Sequence, residues 1–355
     1  MSPKDLHNPM PPAMTALFSD ITERARAGFP VIAGTPGSVV LRDREHRPPY
    51  YAHKFYDGSG KQQEIYLGLA DDEAVKSKVE ALEESIKAIT SVMTEIRLLS
   101  HAGYHFADKK TYATIATLHL HGLFSAGATL IGSHAYGILV NQLGQKSTTY
   151  KTEDIDVARR EELALENPDN LSFLEMLKQT GIPFVEVPAL DVRKPSTSFK
   201  ERGDSRLIVD LLAPATGDTI GSREIPELGA HAATLPYLAY LLGDTHIYPL
   251  LSPLGFCPVR VPSPERFAIH KLIVSQLRVS RDAKVEKDLF QASTLIAILQ
   301  DTFPGALAEA VAAIPLSAST KLTNGLKRAQ DTFLGAYPDA VEEISQAIKE
   351  RKDRG

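Results

Sequence analysis

The chain of 355 residues carries Lys+Arg 39 against Asp+Glu 44 and 43% hydrophobic residues, so it can fill more than one packed core but lacks the basic balance of a non-specific nucleic-acid binder. Its single cysteine, Cys257, excludes an intramolecular disulfide framework and a Cys-rich zinc site. No stretch approaches the roughly 20 apolar residues of a membrane span, and Met1 to Pro12 is polar and Pro-rich with no signal-peptide core, so a cytoplasmic protein without membrane contact is expected.

The first region, residues 1–125, opens with strands expected at Ser38 to Arg42, Tyr50 to Tyr56 and Gln63 to Leu69. The last two flank Asp57-Gly58-Ser59-Gly60, a strong hairpin signal. Tyr50, Tyr51, Phe55, Tyr56 and Tyr66 make that hairpin aromatic; such a surface can stack bases, though cross-strand packing is the more usual cause. From Glu73 to Leu99 the residues Val75, Val79, Leu82, Ile86, Ile89, Met93 and Ile96 alternate steps of four and three, which predicts one long helix with a narrow seam. That seam packs either within the chain or across a homodimer through residues 73–99. His119 and His121 alternate in an apolar stretch but have neither a third ligand nor a His-Glu-x-x-His spacing, which argues against zinc.

The second region, 126–262, reads as the catalytic unit. A strand from Gly127 to Ile131 runs into Gly132-Ser133 and a helix from His134 to Leu143. A strand carrying Asp154 and Asp156 follows, then a helix near Leu171 to Thr180, a strand near Phe184 to Val187 and the strand of Asp210. His246 to Leu251 and Cys257 to Val261 form a strand pair around Ser252-Pro253-Leu254-Gly255. The third region, 263–355, is helical by periodicity, with segments at 264–279, 283–300, 304–314 and 338–351. Its basic residues Arg278, Arg281, Lys284 and Lys287, and the tail Lys349, Arg351, Lys352 and Arg354, are read first as solvated faces.

Three pieces of this order converge on one chemistry. Side chains alternate in a strand, so Asp154 and Asp156 point the same way with Ile155 turned into the core. From Leu207 to Ala213 every residue but Asp210 is aliphatic, and a carboxylate there must have a partner or border a cleft. Hard oxygen ligands of this kind suit Mg²⁺. Gly132-Ser133 opens a helix whose unpaired first amides can take a phosphate, although Ser133 can equally serve as an ordinary N-cap.

The pattern of apolar-Gly-Ser, Asp-x-Asp and an isolated Asp in an apolar strand resembles the DNA polymerase β-like nucleotidyltransferase superfamily. The stretches Thr197 to Pro214 and Val261 to Leu272 also resemble a bacterial family that carries this fold, and the likeness covers about residues 126 to 300. The resemblance implies an α+β fold: a polymerase β-like core, an N-terminal hairpin and long-helix region, and a C-terminal helical region. It implies transfer of a nucleoside monophosphate from an NTP to a hydroxyl on RNA, protein or a small molecule. Asp154 and Asp156 would hold both Mg²⁺ or Mn²⁺ ions, and Asp210 the ion that activates the hydroxyl. Gly132, Ser133 and Lys271 would bind the nucleotide; Lys271 is otherwise a lysine paired with a nearby carboxylate. The basic stretch Arg193 to Arg206, with Lys194, Lys200 and Arg202, either steers phosphate or is a hairpin tip. The gap from Ser133 to Asp154 is longer than in many members, so Gln145 to Lys151 is expected to form a loop at the site. The competing reading is a catalytically silent nucleotide-binding or partner-binding protein on the same fold.

Overall fold

A computed structural model describes residues 6–148, 152–165, 170–189, 191, 193–217, 219–278 and 283–353. After the short strand β1 (Asn8–Pro9) and helix α1 (Pro12–Arg26) come three strands, β2 (Ser38–Arg44), β3 (Arg47–Tyr56) and β4 (Gln62–Leu69). They form an antiparallel meander in the order β2-β3-β4. Asp57 builds the expected turn: its carboxylate accepts from the amides of Ser59 and Lys61, from the Ser59 hydroxyl and from Gln63 Nε2. Tyr50 and Tyr66 meet with ring centroids 5.4 Å apart, so part of the aromatic content is cross-strand packing.

The long helix departs from expectation. It divides into α2 (Glu73–Ser91) and α3 (Met93–Ala102). Val92 lies off the seam yet is wholly buried, whereas Met93, a seam residue, is only half-buried. The apolar stripe thus shifts by one residue and continues through Val92, Ile96 and Leu99. Its two ends serve different partners. Val75 lies against the meander where Gly68 makes room; a Cβ at Gly68 would come 2.2 Å from Val75 Cγ2. Val92, Ile96 and Leu99 join Phe18, Ile21, Tyr104, Leu251 and Phe256 in a separate small core.

Helix α4 (Lys109–Leu120) precedes the sheet elements β5 (Thr129–Ile131), α5 (Gly132–Gln142), β6 (Gln145–Lys146), β7 (Asp154–Ala158), α6 (Phe173–Lys178), β8 (Phe184–Glu186), β9 (Ser198–Glu201) and β10 (Ile208–Pro214). Strands β11 (Gly221–Ile225) and β12 (Ala230–Leu235), helix α7 (Leu238–Leu241) and the hairpin β13 (Thr245–Ser252) and β14 (Gly255–Pro262) follow. The main sheet runs β11-β12-β10-β7-β5. On the edge of β10 away from β7, β9 pairs antiparallel with Ile208 to Asp210 and β12 pairs parallel with Leu212 to Pro214. Four residues of the stretch 193–206, Ser198–Glu201, are therefore strand, with Arg202 and Arg206 exposed at the hairpin tip.

Ile155, Val157, Val209 and Leu211 are all buried at 0% exposure on one face of the sheet. They share a core with Tyr112, Ile115, Ala116 and Leu118 of α4, which lies before the expected boundary at 125/126. Cys257 is in the same core, 0% exposed, with burial pushing its thiol pKa up. Part of the expected loop Gln145 to Lys151 is strand: β6 pairs with β1, and Ser147 Oγ lies 2.9 Å from the Tyr136 hydroxyl. Lys151 is outside the described residues.

The C-terminal region contains α8 (Pro264–Ser275), α9 (Ala283–Thr302), α10 (Ala306–Ala312), α11 (Ser319–Thr332) and α12 (Pro338–Asp353). Its basic tail is not wholly solvated, because Arg351 Nε donates to the carbonyl of Ile314 at 2.8 Å; Arg281 and Arg354 lie outside the described residues. Helix α11, which periodicity did not reveal, has few large apolar residues and packs instead by close approach. A Cβ at Gly325 would lie 2.3 Å from the carbonyl oxygen of Leu272 on α8. Helix propensity alone makes Gly325→Ala stabilising by about 1 kcal/mol. Forcing α8 and α11 apart should outweigh that gain and leave a net loss of about 1–3 kcal/mol, read by urea denaturation.

Candidate active site

The site begins with a register. Strands β7 and β10 are parallel neighbours in which Asp156 lies opposite Asp210 and Asp154 opposite Ile208. Register partners share a face, so Asp154, Asp156 and Asp210 all project away from the Ile155 and Val209 face. Asp154 is exposed, while Asp156 and Asp210 are half-buried. On the other edge of β7, Ile131 pairs with Asp156, which brings the end of β5 and the start of α5 over the same carboxylate.

Gly132 is required at that junction for two reasons. Its φ is +69°, a conformation that L side chains rarely adopt. A Cβ there would also sit 2.0 Å from Asp156 Oδ2. Helix α5 begins without a side-chain cap, so Ser133 does not act as the N-cap. Its Oγ instead accepts a hydrogen bond from Gln291 Nε2 at 3.3 Å. The start of α5 thus lies close over the Asp156 carboxylate.

The electrostatics follow from this crowding. Burial, then the neighbouring Asp210, pushes the Asp156 carboxyl up to about 6. Lys271 and Lys284 oppose that shift. Asp210 is also raised, by burial, with a hydrogen bond from Ser198 of β9 acting the other way. Among the described residues no hydrogen bond or ion pair holds the Asp156 carboxylate.

Helix α9 supplies the facing wall. Lys284, Lys287, Asp288 and Gln291 recur at i, i+3, i+4 and i+7, a polar stripe on a helix otherwise rich in buried apolar residues. Burial and Lys271 lower the Lys287 pKa, while Asp154, Asp288 and Asp156 oppose that change. Lys271 on α8 donates to Asp288 at 2.6 Å, and Arg278 donates to the same carboxylate at 2.7 Å. Lys271 therefore faces the cluster with its ammonium already bound to a carboxylate. Lys284 is exposed, as expected of a solvated face, whereas Lys287 is half-buried and turns with Asp288 and Gln291 toward the site.

The donor set is hard carboxylate oxygen, in keeping with Mg²⁺ or Mn²⁺. Among the described residues, however, no three His, Cys, Asp or Glu side chains converge closely enough to hold a cation. Asp154, Asp156 and Asp210 supply an acidic face whose remaining ligands would have to come from outside the chain. His121 Nε2 lies within hydrogen-bond distance of Gln179 Oε1, at 2.9 Å. Beside Ser133, on the flank formed by α5 and residues 103–108, a cavity of about 600 Å³ opens.

A raised carboxyl pKa has a definite sign in folding. The folded state prefers protonated Asp156, so this stabilisation is present below the ordinary value of 3.8 and is lost as pH rises through about 6. The metal-free protein should lose melting temperature from about pH 4 to about pH 6 relative to Asp156→Asn, and Mn²⁺ should remove the difference. Gly132→Ala should weaken Mn²⁺–nucleotide binding by about 10- to 100-fold, because the methyl group displaces the carboxylate. Calorimetry on a sample with native circular dichroism measures this.

No curated protein matches the chain. Residues 109–315 match the family model described as nucleotidyltransferase, a span that opens at the first residue of α4 and runs past α10. Since that match covers more than half of the chain, the protein belongs to this nucleotidyltransferase family.

Proposed function

We propose that the protein is a metal-dependent nucleotidyltransferase on a polymerase β-like core. It transfers a nucleoside monophosphate from an NTP to a hydroxyl acceptor and releases pyrophosphate. The observation that carries this reading is the register of Asp156 against Asp210 beneath Gly132. A purely structural strand pair has no use for two adjoining acidic side chains and a glycine that leaves one of them uncovered.

The amides at the start of α5 and the Ser133 hydroxyl bind the triphosphate, and Lys284 and Lys287 balance its charge from α9. Asp154, Asp156 and Asp210 would hold Mg²⁺ or Mn²⁺, with phosphate oxygens completing the coordination. Bound there, the cations neutralise phosphate charge and lower the pKa of the acceptor hydroxyl. The acceptor oxygen bonds to the α-phosphorus as the bond to the α,β-bridging oxygen breaks. Pyrophosphate leaves with that electron pair, and the hydroxyl proton is released. Lys271 acts chiefly by holding Asp288 and through its field at Asp156.

The second reading, a silent nucleotide-binding or partner-binding protein, draws on the lack of a closed cation cage among the described residues. It also draws on the exposed Leu41, Tyr56, Ile65 and Tyr66 of the meander. A homodimer through residues 73–99 would have to form around the half-buried Leu82 and Ile86, because both ends of the seam are covered within the chain.

Two variants separate these readings. Asp210→Asn should retain NTP–Mg²⁺ binding while transfer falls by roughly two orders of magnitude or more. Asp156→Asn should impair both binding and transfer. Calorimetry with the four NTPs, and labelled-nucleotide transfer in cell extract, provide the readouts, with melting curves to exclude unfolding. Undiminished transfer by folded Asp210→Asn would leave the binding-protein reading.

A further inference from the structure

The charges around Ser133 are segregated. The lysines that act on the carboxylate cluster, Lys271, Lys284 and Lys287, all come from α8 and α9. The cavity of about 600 Å³ beside Ser133 has a different character. Its lining carries two carboxylates, Asp108 and Glu153, the latter adjoining Asp154 in sequence. Among the described residues its one lining lysine, Lys110, is bound to both carboxylate oxygens of Glu201 at 2.7 and 2.8 Å. Lys146 lies near Gly103 at one rim.

The cavity floor is polar without being cationic. His105 and His134 line it, and the Nε2 atom of each is buried with no hydrogen-bond partner. Unpaired buried ring nitrogens are costly unless a ligand or water meets them. Burial also pushes both imidazoles down to about 4, so near neutral pH they add no positive charge. The His105 backbone is held firmly, its amide donating to Asn141 Oδ1 at 2.8 Å and its carbonyl accepting from Asn141 Nδ2 at 3.0 Å.

We propose that this cavity is the acceptor site, and that it takes a small hydroxyl-bearing molecule, uncharged or cationic, in preference to any phosphorylated acceptor. The proposal rests on the nucleotidyltransferase reading for the word acceptor, but not for the cavity's charge preference. The volume falls in the ordinary range for small-molecule pockets, about 300–1,000 Å³. A nucleic-acid strand needs cations to offset its phosphates. Among the described residues Asp108 and Glu153 repel them, Lys110 is already neutralised, and Lys146 stands at the rim rather than in the lining. The triphosphate is left to the start of α5 and the lysines of α9, and the acceptor to the cavity that opens beside Ser133.

The test compares three probes on one scaffold: glucosamine, glucose and glucose 6-phosphate. Saturation-transfer NMR on the full chain without nucleotide reads their binding. Glucosamine and glucose should bind at least about fivefold more tightly than glucose 6-phosphate. Glu153→Lys, at an exposed position, should narrow or reverse that order. His105→Phe should abolish glucosamine and glucose binding while calorimetry shows NTP–Mn²⁺ affinity unchanged. Equal or tighter binding of glucose 6-phosphate, or binding of none of the three, would overturn the proposal. Parallel loss of nucleotide affinity in His105→Phe would assign the cavity to the nucleoside and overturn it as well. If the wild type bound the sugars with the stated preference but no NTP, the nucleotidyltransferase reading would fail and the cavity's charge preference would stand.

Discussion

The arrangement depends on a constraint that is unfavourable in isolation: two carboxylates placed side by side on adjacent parallel strands and partly removed from water. Burial penalises the ionised forms of both Asp156 and Asp210, the charge of Asp210 adds to the penalty at Asp156, and that of Asp154 adds to it at Asp210. The opposite faces of the same strands hold them there. Ile155, Val157, Val209 and Leu211 are all wholly buried, and a slip of one residue would turn both acids into that core while exposing its aliphatic side chains. The hydrophobic face thus sustains a polar face that could not persist alone.

The C-terminal helices answer this concentration of negative charge without cancelling it. Asp288 is buried, which by itself would raise its pKa, yet Lys271 and Arg278 outweigh burial and hold it ionised below the ordinary value. That triad fixes the register of α8 against α9. As a consequence, Lys284, Lys287 and Gln291 are carried toward Ser133 and the acidic strands on a rigid helix rather than on a loop.

How much of this could be read beforehand varied with the kind of signal. The meander, the β13–β14 hairpin and the strands of Asp154 and Asp210 were legible because alternation and turn chemistry are local. Helix α4 was less so. Thr111, Thr114 and Thr117 are buried in it, and the hydroxyls of Thr114 and Thr117 return to carbonyls four residues earlier, so residues that read as polar behave as core. Strand β9 was hidden in a run of basic residues because its pairing to β10 is set by tertiary contacts. The break at Val92 was invisible for a related reason: a heptad pattern says that a stripe exists, not that its two ends face different partners. Among the candidate site residues, the acids and Gly132-Ser133 were legible as a pattern, whereas the attachment of Lys271 to Asp288 required the packing of α8 on α9.

The buried thiol of Cys257 has a practical side. A sulfur with no solvent exposure and a raised pKa offers almost no thiolate to an electrophile, and no second cysteine exists in the sequence to compete with it. The unmodified chain is therefore a silent background for thiol chemistry. A cysteine introduced at an exposed position on the meander or on α2 would be the single reactive handle in the molecule, so fluorophores or spin labels can be attached without first removing a native residue from the core.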